Sequence, residues 1–292
     1  MLGATRSVLF AAILFVAGAP ASAQPLKVLV TNDDGVAAPG IDVLVRTLAA
    51  NAHLALTVVA PADNSSGTGE RTTSQIGVFA GTTASGFPGD AALFGVLQQM
   101  RSDPPDLVVS GVNDGQNLSA EIIPLSGTIG AATWAARHGI PAFAVSAGLS
   151  ASPNFAQAAQ FTADLVELFR VRKAFRRKMH EEAAPFRGLV LNINFPTCST
   201  GSVRGVRVVP VGRVNVSTGY TLLSDVGGLQ TWRMTLSSGG DFFTADCTST
   251  VEEVSSDLEA FDNGFATVTP LDPERNTTGR KLRDFQFVGK LF

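Results

Sequence analysis

Short apolar runs alternate with amphipathic stretches through the first half of the chain, and each apolar run ends in a polar, glycine-bearing loop. Lys27 to Thr31 reads as a β-branched strand, followed by the turn Asn32-Asp33-Asp34-Gly35 and a helical pattern from Gly40 to Ala52. Residues 54–60 read as a second buried strand, and 61–74 as a polar loop too long for a tight turn. The order then repeats, with a helix over 89–100, a strand over 106–110, a loop over 111–126, a helix over 127–138 and a strand over 141–146. Strands separated by helices at this spacing call for a parallel sheet covered on both faces. The expected class is α/β, a Rossmann-like doubly wound parallel sheet.

Residues 155–183 read as one long helix with a basic end from Arg170 to Lys178, a charge run suited to a solvated helix end. Leu189 to Phe195 returns as a buried strand, and beyond Val203 short β-prone segments alternate with Gly and Ser, as hairpins do. The expected organisation is an α/β domain over 24–196 followed by a C-terminal β-hairpin extension over 197–292. No internal repeat or low-complexity tract interrupts it.

Ahead of the first strand stand Arg6, an apolar run from Val8 to Ala19, and Ala21-Ser22-Ala23. That is the three-part pattern of a secretory signal peptide over residues 1–23. The run is about a dozen residues, short of the ~20 that a spanning helix needs. It predicts export, to the periplasm or beyond, with no membrane contact after cleavage. In an oxidising compartment Cys198 and Cys247, the two cysteines of the chain, can hold a disulfide; a pair of buried thiols is the alternative. A net charge of −3 without a basic surface cluster gives no footprint for a nucleic-acid polymer. A small anionic substrate stays compatible, because a bound cation can supply positive charge locally.

Open parallel sheets bind ligands at the carboxyl ends of their strands. Three polar loops leave strands at that edge: one with Asp33 and Asp34, one with Asn64, Ser65 and Ser66, and one with Asn113, Asp114 and Asn117. Adjacent carboxylates at a focal point repel unless a proton or a cation separates them. Two carboxylates with a serine hydroxyl and an asparagine carbonyl form an all-oxygen set, suited to Mg²⁺, Mn²⁺ or Ca²⁺ and wrong for zinc or copper. An isolated Asp-Asp-Gly, by contrast, is more simply a turn. Leu125-Ser126-Gly127-Thr128 opens a helix whose free N–H groups and two hydroxyls make an anion site fit for phosphate, while Ser126 also suits an ordinary N-cap. His53, His138 and His180 fall in or near helices or in a linker, and there is no G-x-S-x-G elbow. Nor is there a phosphate-binding G-x-x-x-x-G-K-[ST] loop or a G-x-G-x-x-G after the first strand. Hydrolysis by a metal-activated water is the chemistry that remains.

Val30-Thr31-Asn32-Asp33-Asp34-Gly35-Val36-Ala37-Ala38-Pro39-Gly40-Ile41 resembles the opening block of the SurE survival-protein family. Residues 59–67 resemble its second block, Pro105-Asp106-Leu107-Val108-Val109-Ser110-Gly111-Val112-Asn113-Asp114-Gly115-Gln116-Asn117-Leu118 its third, and Ser126-Gly127-Thr128 with Gly139-Ile140-Pro141-Ala142 its fourth. Residues 191–196 and 256–271 resemble later stretches, and 197–254 resemble none. The likeness implies a metal-dependent phosphatase of nucleoside 5′- and 3′-monophosphates, forming a homodimer or homotetramer in which C-terminal segments are exchanged. It implies Asp33, Asp34, Ser66 and Asn113 as ligands of Mg²⁺ or Mn²⁺, with Asp33 and Asp34 catalytic, and Asn117, Ser126, Gly127 and Thr128 around the phosphate. Leu125 stands where an aromatic residue is common, Phe265 replaces a frequent tyrosine, and the wording of 60–69 is closer to the secreted, broad-specificity branch. A general acid-phosphatase-like enzyme is therefore one alternative and a protein that captures nucleotide or phosphate without turnover is another. An aspartyl-phosphate route through Asp33 would pair aspartates two residues apart, where Gly35 stands.

Overall fold

The computed structural model describes residues 24–180, 188–213, 217–236, 245–274 and 279–291. The expected signal peptide over 1–23 lies outside them. The chain runs through Leu26–Thr31 (β1), Pro39–Ala49 (α1), Leu54–Val58 (β2), Ala60–Pro61 (β3), Val78–Phe79 (β4), Thr83–Ala84 (β5), Pro88–Phe94 (α2) and Leu107–Asp114 (β6). It continues with Ser119–Ile122 (α3), Gly127–Arg137 (α4), Ala142–Ala147 (β7), Phe155–Val171 (α5), Lys173–His180 (α6) and Val190–Phe195 (β8). Val206–Val208 (β9), Ser217–Val226 (β10), Leu229–Leu236 (β11), Asp257–Asp262 (α7), Ala266–Leu271 (β12) and Gly279–Phe285 (α8) complete it.

Seven strands form one sheet in the order β2-β1-β6-β7-β8-β12-β9. Pairing is parallel from β2 through β8, whereas β12 runs antiparallel to β8 and parallel to β9. The chain steps outward from β1 to β2 and then returns past β1 to β6. The switch point therefore lies between the ends of β1 and β6, where a ligand crevice opens in such sheets.

Side-chain alternation builds two cores. Val28 and Val30 of β1, Leu107 and Val109 of β6, and Phe143 and Val145 of β7 face α1 and α5. Leu29, Val108 and Ala144 face the opposite way, against Ala91 of α2 and Ala132 and Ala136 of α4. Successive strand residues point to opposite faces, so near-continuous apolar runs are what a sheet buried on both sides requires. On β8 the second face carries Asn192 and Asn194, both fully buried. Those asparagines break the pattern at the site.

The long helix expected over 155–183 instead breaks at Arg172 into α5 and α6, and its last residues, 181–183, lie outside the described set. Packing explains the break: Phe175 turns back to place its ring 5.8 Å from Phe169, 5.9 Å from Phe285 and 5.4 Å from Phe287. The basic end is solvated and paired, Arg170 with Glu167, Arg176 with Asp106 and Lys178 with Asp284. The division expected at residue 196 also differs from the sheet, because β9 and β12, both beyond it, are outer strands of the same sheet. Of the described C-terminal strands, β10 and β11 stand apart as a hairpin, turned by Gly227 and Gly228 at φ 61 and 87. Positive φ at both turn positions is what a tight hairpin of this kind needs.

Cys198 and Cys247 form a disulfide with 5.7 Å between their Cα atoms, so the thiol alternative does not apply. Among the described residues no helix is long and apolar enough to cross a membrane.

Candidate active site

The three loops that sequence places at one sheet edge do meet there, and backbone hydrogen bonds fasten them to each other. Ser65 N–H donates to Asp33 O at 2.7 Å, Val36 N–H to Pro61 O at 2.8 Å, and Gly69 N–H to Leu125 O at 2.9 Å. Gly127 allows a close approach to the first loop: a Cβ there would lie 2.8 Å from Asp33 Cβ and 3.0 Å from Asp33 Oδ2. Any side chain at 127 would push α4 off the first loop.

Asp33 is almost fully buried and accepts a 2.6 Å hydrogen bond from Thr128 Oγ1, together with the Thr128 backbone N–H. Burial pushes its carboxyl up to about 6, the Thr128 hydroxyl pulls it down, and the neighbouring Asp34 charge raises it again. Asp34 is half-buried, and burial raises its carboxyl too, against the lowering pull of its donors. These are Asp114 N–H on Oδ2 at 2.9 Å, with Asn64 Nδ2 at 3.1 Å and Ser66 Oγ at 3.4 Å on Oδ1. Asn113 turns its Nδ2 to Gly115 O at 2.7 Å, which leaves Oδ1 buried with no hydrogen-bond donor. A buried amide oxygen left so costs ~1–3 kcal/mol, and a cation beside it would remove that cost. Among the described residues no three His, Cys, Asp or Glu side chains cluster, so a cation here would rely on two carboxylates and neutral oxygens.

A cavity of about 230 Å³ opens beside these groups. Asp33, Ser66, Asn113, Asn117 and Ser126 line it together with Ile122, Leu125 and Leu149. Of the four residues expected around phosphate, Asn117 and Ser126 line the cavity, while Gly127 and Thr128 lie behind Asp33. Ser126 Oγ also caps α4 by accepting from Ile129 N at 3.1 Å. The positive end of α4 thus meets the chain's own Asp33 carboxylate first, and the Thr128 hydroxyl belongs to that contact.

Asn117 is held on every side. Its Nδ2 donates to Ser146 Oγ at 2.9 Å and Thr128 Oγ1 at 3.3 Å, its N–H to Asn194 Oδ1 at 2.6 Å, and its C=O accepts from Asn192 Nδ2 at 2.8 Å. Sequence reasoning gave no role to Asn192, Asn194 and Ser146, and placed Asp114 at the edge without its backbone contact to Asp34. The signal was the i, i+2 repeat of asparagine in an otherwise apolar buried strand.

The fold and the site define an α/β protein with an acidic, all-oxygen cluster at the switch point and a small pocket beside it. Residues 28–218 match the family described as Survival protein SurE. The chain is 33% identical over 262 residues to the 5′-nucleotidase SurE of Microcystis aeruginosa, covering 86% of this chain and 92% of that one. It is 31% identical over 255 residues to the 5′/3′-nucleotidase SurE of Photorhabdus laumondii, covering 84% and 89%. The crystal structure of the SurE protein from Aquifex aeolicus superposes with a TM-score of 0.64 at 28% identity, covering 88% of this chain and 96% of that one. The chain belongs to the SurE family.

Proposed function

We propose that the chain hydrolyses nucleoside 5′- and 3′-monophosphates, as a phosphoric monoester hydrolase that depends on a divalent cation. The observation that carries this reading is that Asp33, Ser66 and Asn113 line one cavity, with Asp34 beside it accepting from Ser66 Oγ at 3.4 Å and the Asn113 Oδ1 buried and without a donor. Relatives named 5′- and 5′/3′-nucleotidases over most of the chain support it. The donor set fits Mg²⁺ or Mn²⁺, which Asp33, Asp34, Ser66 and Asn113 would hold. When bound, such an ion supplies Lewis acidity and a nucleophilic water at neutral pH.

The rest is done by the chain. Thr128 fixes the orientation of Asp33, and Asp114 N–H and Asn64 fix that of Asp34. The Ser126 hydroxyl faces the cavity as a partner for phosphoryl oxygens at the positive end of α4, and Asn117, its donors held by Ser146, Thr128 and Asn194, lines the cavity beside it. Ile122, Leu125 and Leu149 contact the organic part of the ester and keep water from it. That wall is aliphatic and reads no hydrogen-bonding edge of a base. This favours a second reading, a broad-specificity, acid-phosphatase-like enzyme. The pattern in residues 1–23 and the Cys198–Cys247 bridge support export to the periplasm or beyond. The exposed hairpin within 197–292 supports a role of that region in a homodimer or homotetramer.

The test is phosphate release by the purified chain from p-nitrophenyl phosphate and a panel of 5′- and 3′-nucleoside monophosphates, with EDTA and then with Mn²⁺ or Mg²⁺ restored. Metal-restored turnover is expected, and its profile separates nucleotidase from general phosphatase. No turnover with any metal, together with retained nucleotide binding, would make this a capture protein.

A further inference from the structure

The loop that carries Asn117 is held from the far end of the chain. Asp257 opens α7 and is fully buried, although taking a carboxylate out of water is costly unless donors replace the water. Three backbone N–H groups do so: Gly212 at 2.7 Å and Leu258 at 2.8 Å on Oδ1, and Ser119 at 3.1 Å on Oδ2. Ser119 lies 138 positions away and adopts φ 69, a left-handed conformation that costs a non-glycine residue ~1–2 kcal/mol. Its neighbours are tied to the same C-terminal region. Ala120 N–H donates to Gly212 O at 2.8 Å, and Leu118 is fully buried in a small apolar cluster with Cys247 and Phe261. Just upstream Asn117 faces the cavity, and just downstream Ile122 and Leu125 form its aliphatic wall.

We propose that Asp257 is a positioning residue for substrate: by holding the Ser119 backbone it sets Asn117 and the Ile122–Leu125 wall against the fixed Asp33, Asp34 and Asn113. The proposal rests on the phosphoesterase reading. The two carboxylates come from the loop after β1 and Asn113 from β6, and the hydrogen bonds of Asp257 go to Gly212, Leu258 and Ser119 instead, so metal binding should be little affected by it.

Asp257→Asn is the first test. The amide oxygen can keep Gly212 and Leu258, and its NH₂ then faces the Ser119 N–H, donor against donor. Gly212→Ala is the second, since its Cβ would sit 3.1 Å from Asp257 Oδ1 and displace the carboxylate without changing it. In full-length variants, hydrogen exchange over residues 115–126 is measured by mass spectrometry, alongside KM for p-nitrophenyl phosphate, Ki for inorganic phosphate and the Mn²⁺ activation constant. The expected result for Asp257→Asn is about tenfold faster exchange at 119–121 and about tenfold higher KM and Ki, the effect of losing one charged hydrogen bond. Gly212→Ala should move the same quantities less, and the Mn²⁺ constant should stay within about twofold. Unchanged exchange overturns the anchoring. A fall in kcat and melting temperature with KM and Ki unchanged overturns the positioning role and leaves a structural one. A wild-type chain without turnover would instead contradict the phosphoesterase reading, and the exchange data alone would then decide whether Asp257 holds the loop.

Discussion

The switch-point edge of the sheet and the β10–β11 hairpin invert each other's chemistry. At the edge, polar groups are buried: Asp33, Asn113, Asn117, Thr128, Asn192 and Asn194 lie out of water in a network that fixes nearly every donor. Along the hairpin, apolar groups are exposed: Val226 and Leu229 are each 74% accessible, Tyr220 64% and Trp232 50%. Buried polar groups need partners, and exposed apolar groups seek cover, so both arrangements carry a cost in the isolated chain. A fold keeps the first where chemistry is done and the second where another surface comes to rest. We assign turnover to the edge and assembly to the hairpin on that difference.

The largest expected break is at the edge. Asp34→Asn removes one of two anionic oxygens, and loss of several kcal/mol of charge stabilisation corresponds to roughly a thousandfold fall in turnover. Circular dichroism should show the fold intact, and wild-type turnover in this variant would detach Asp34 from the site. Next comes Thr128→Val, which keeps shape and removes the hydroxyl on Asp33. Groups that orient ligands are worth ~10–100-fold in metal affinity, so the Mn²⁺ activation constant should rise by that factor with KM nearly unchanged. A rise in KM alone would return Thr128 to the phosphate pocket, where sequence first placed it.

A smaller effect separates buried charge from buried polarity. Burial pushes Asp257 up to about 6 in the folded chain, above its unfolded value, so its stabilising contribution is full at low pH and lost as pH rises through about 6. Acidifying from pH 8 to pH 5 should therefore stabilise the wild-type chain by about 1 kcal/mol more than Asp257→Asn. Chemical unfolding at the two pH values measures this, and a gap of opposite sign would contradict it. The smallest effect belongs to the hairpin. Replacing Val226 and Leu229 with Ser should change unfolding of the sheet by less than about 0.5 kcal/mol while lowering the mass seen in sedimentation. An unchanged mass would remove the hairpin from assembly.

What sequence makes legible follows the same line. The parallel order of β1, β2, β6 and β7 and the meeting of their loops are local in origin, since each strand carries its own polar loop and neighbours in sequence are neighbours in space. Asp33, Asp34 and Ser66 sit in such loops and Asn113 near the end of β6, so their meeting at one edge could be expected from that order. Asn192, Asn194 and Asp257 act on residues 75 to 138 positions away, and nothing in their own segments points to those partners. The membership of β9 and β12 in the main sheet was hidden for the same reason, with the segments beyond Val203 reading as hairpins. The Thr128 contact with Asp33 was hidden for a different one: a helix start reads as open to a substrate anion, and nothing in its own segment shows that a carboxylate of the chain lies against it.

We propose that one divalent cation joins the three loops through Asp33, Asp34, Ser66 and Asn113. Isothermal titration of Mn²⁺ into the metal-free chain and into Asp34→Asn, both at pH 7.5, tests it most directly. About one ion per chain is expected for wild type, with affinity lost in the variant. Equal binding by both, or no binding by either, would contradict it.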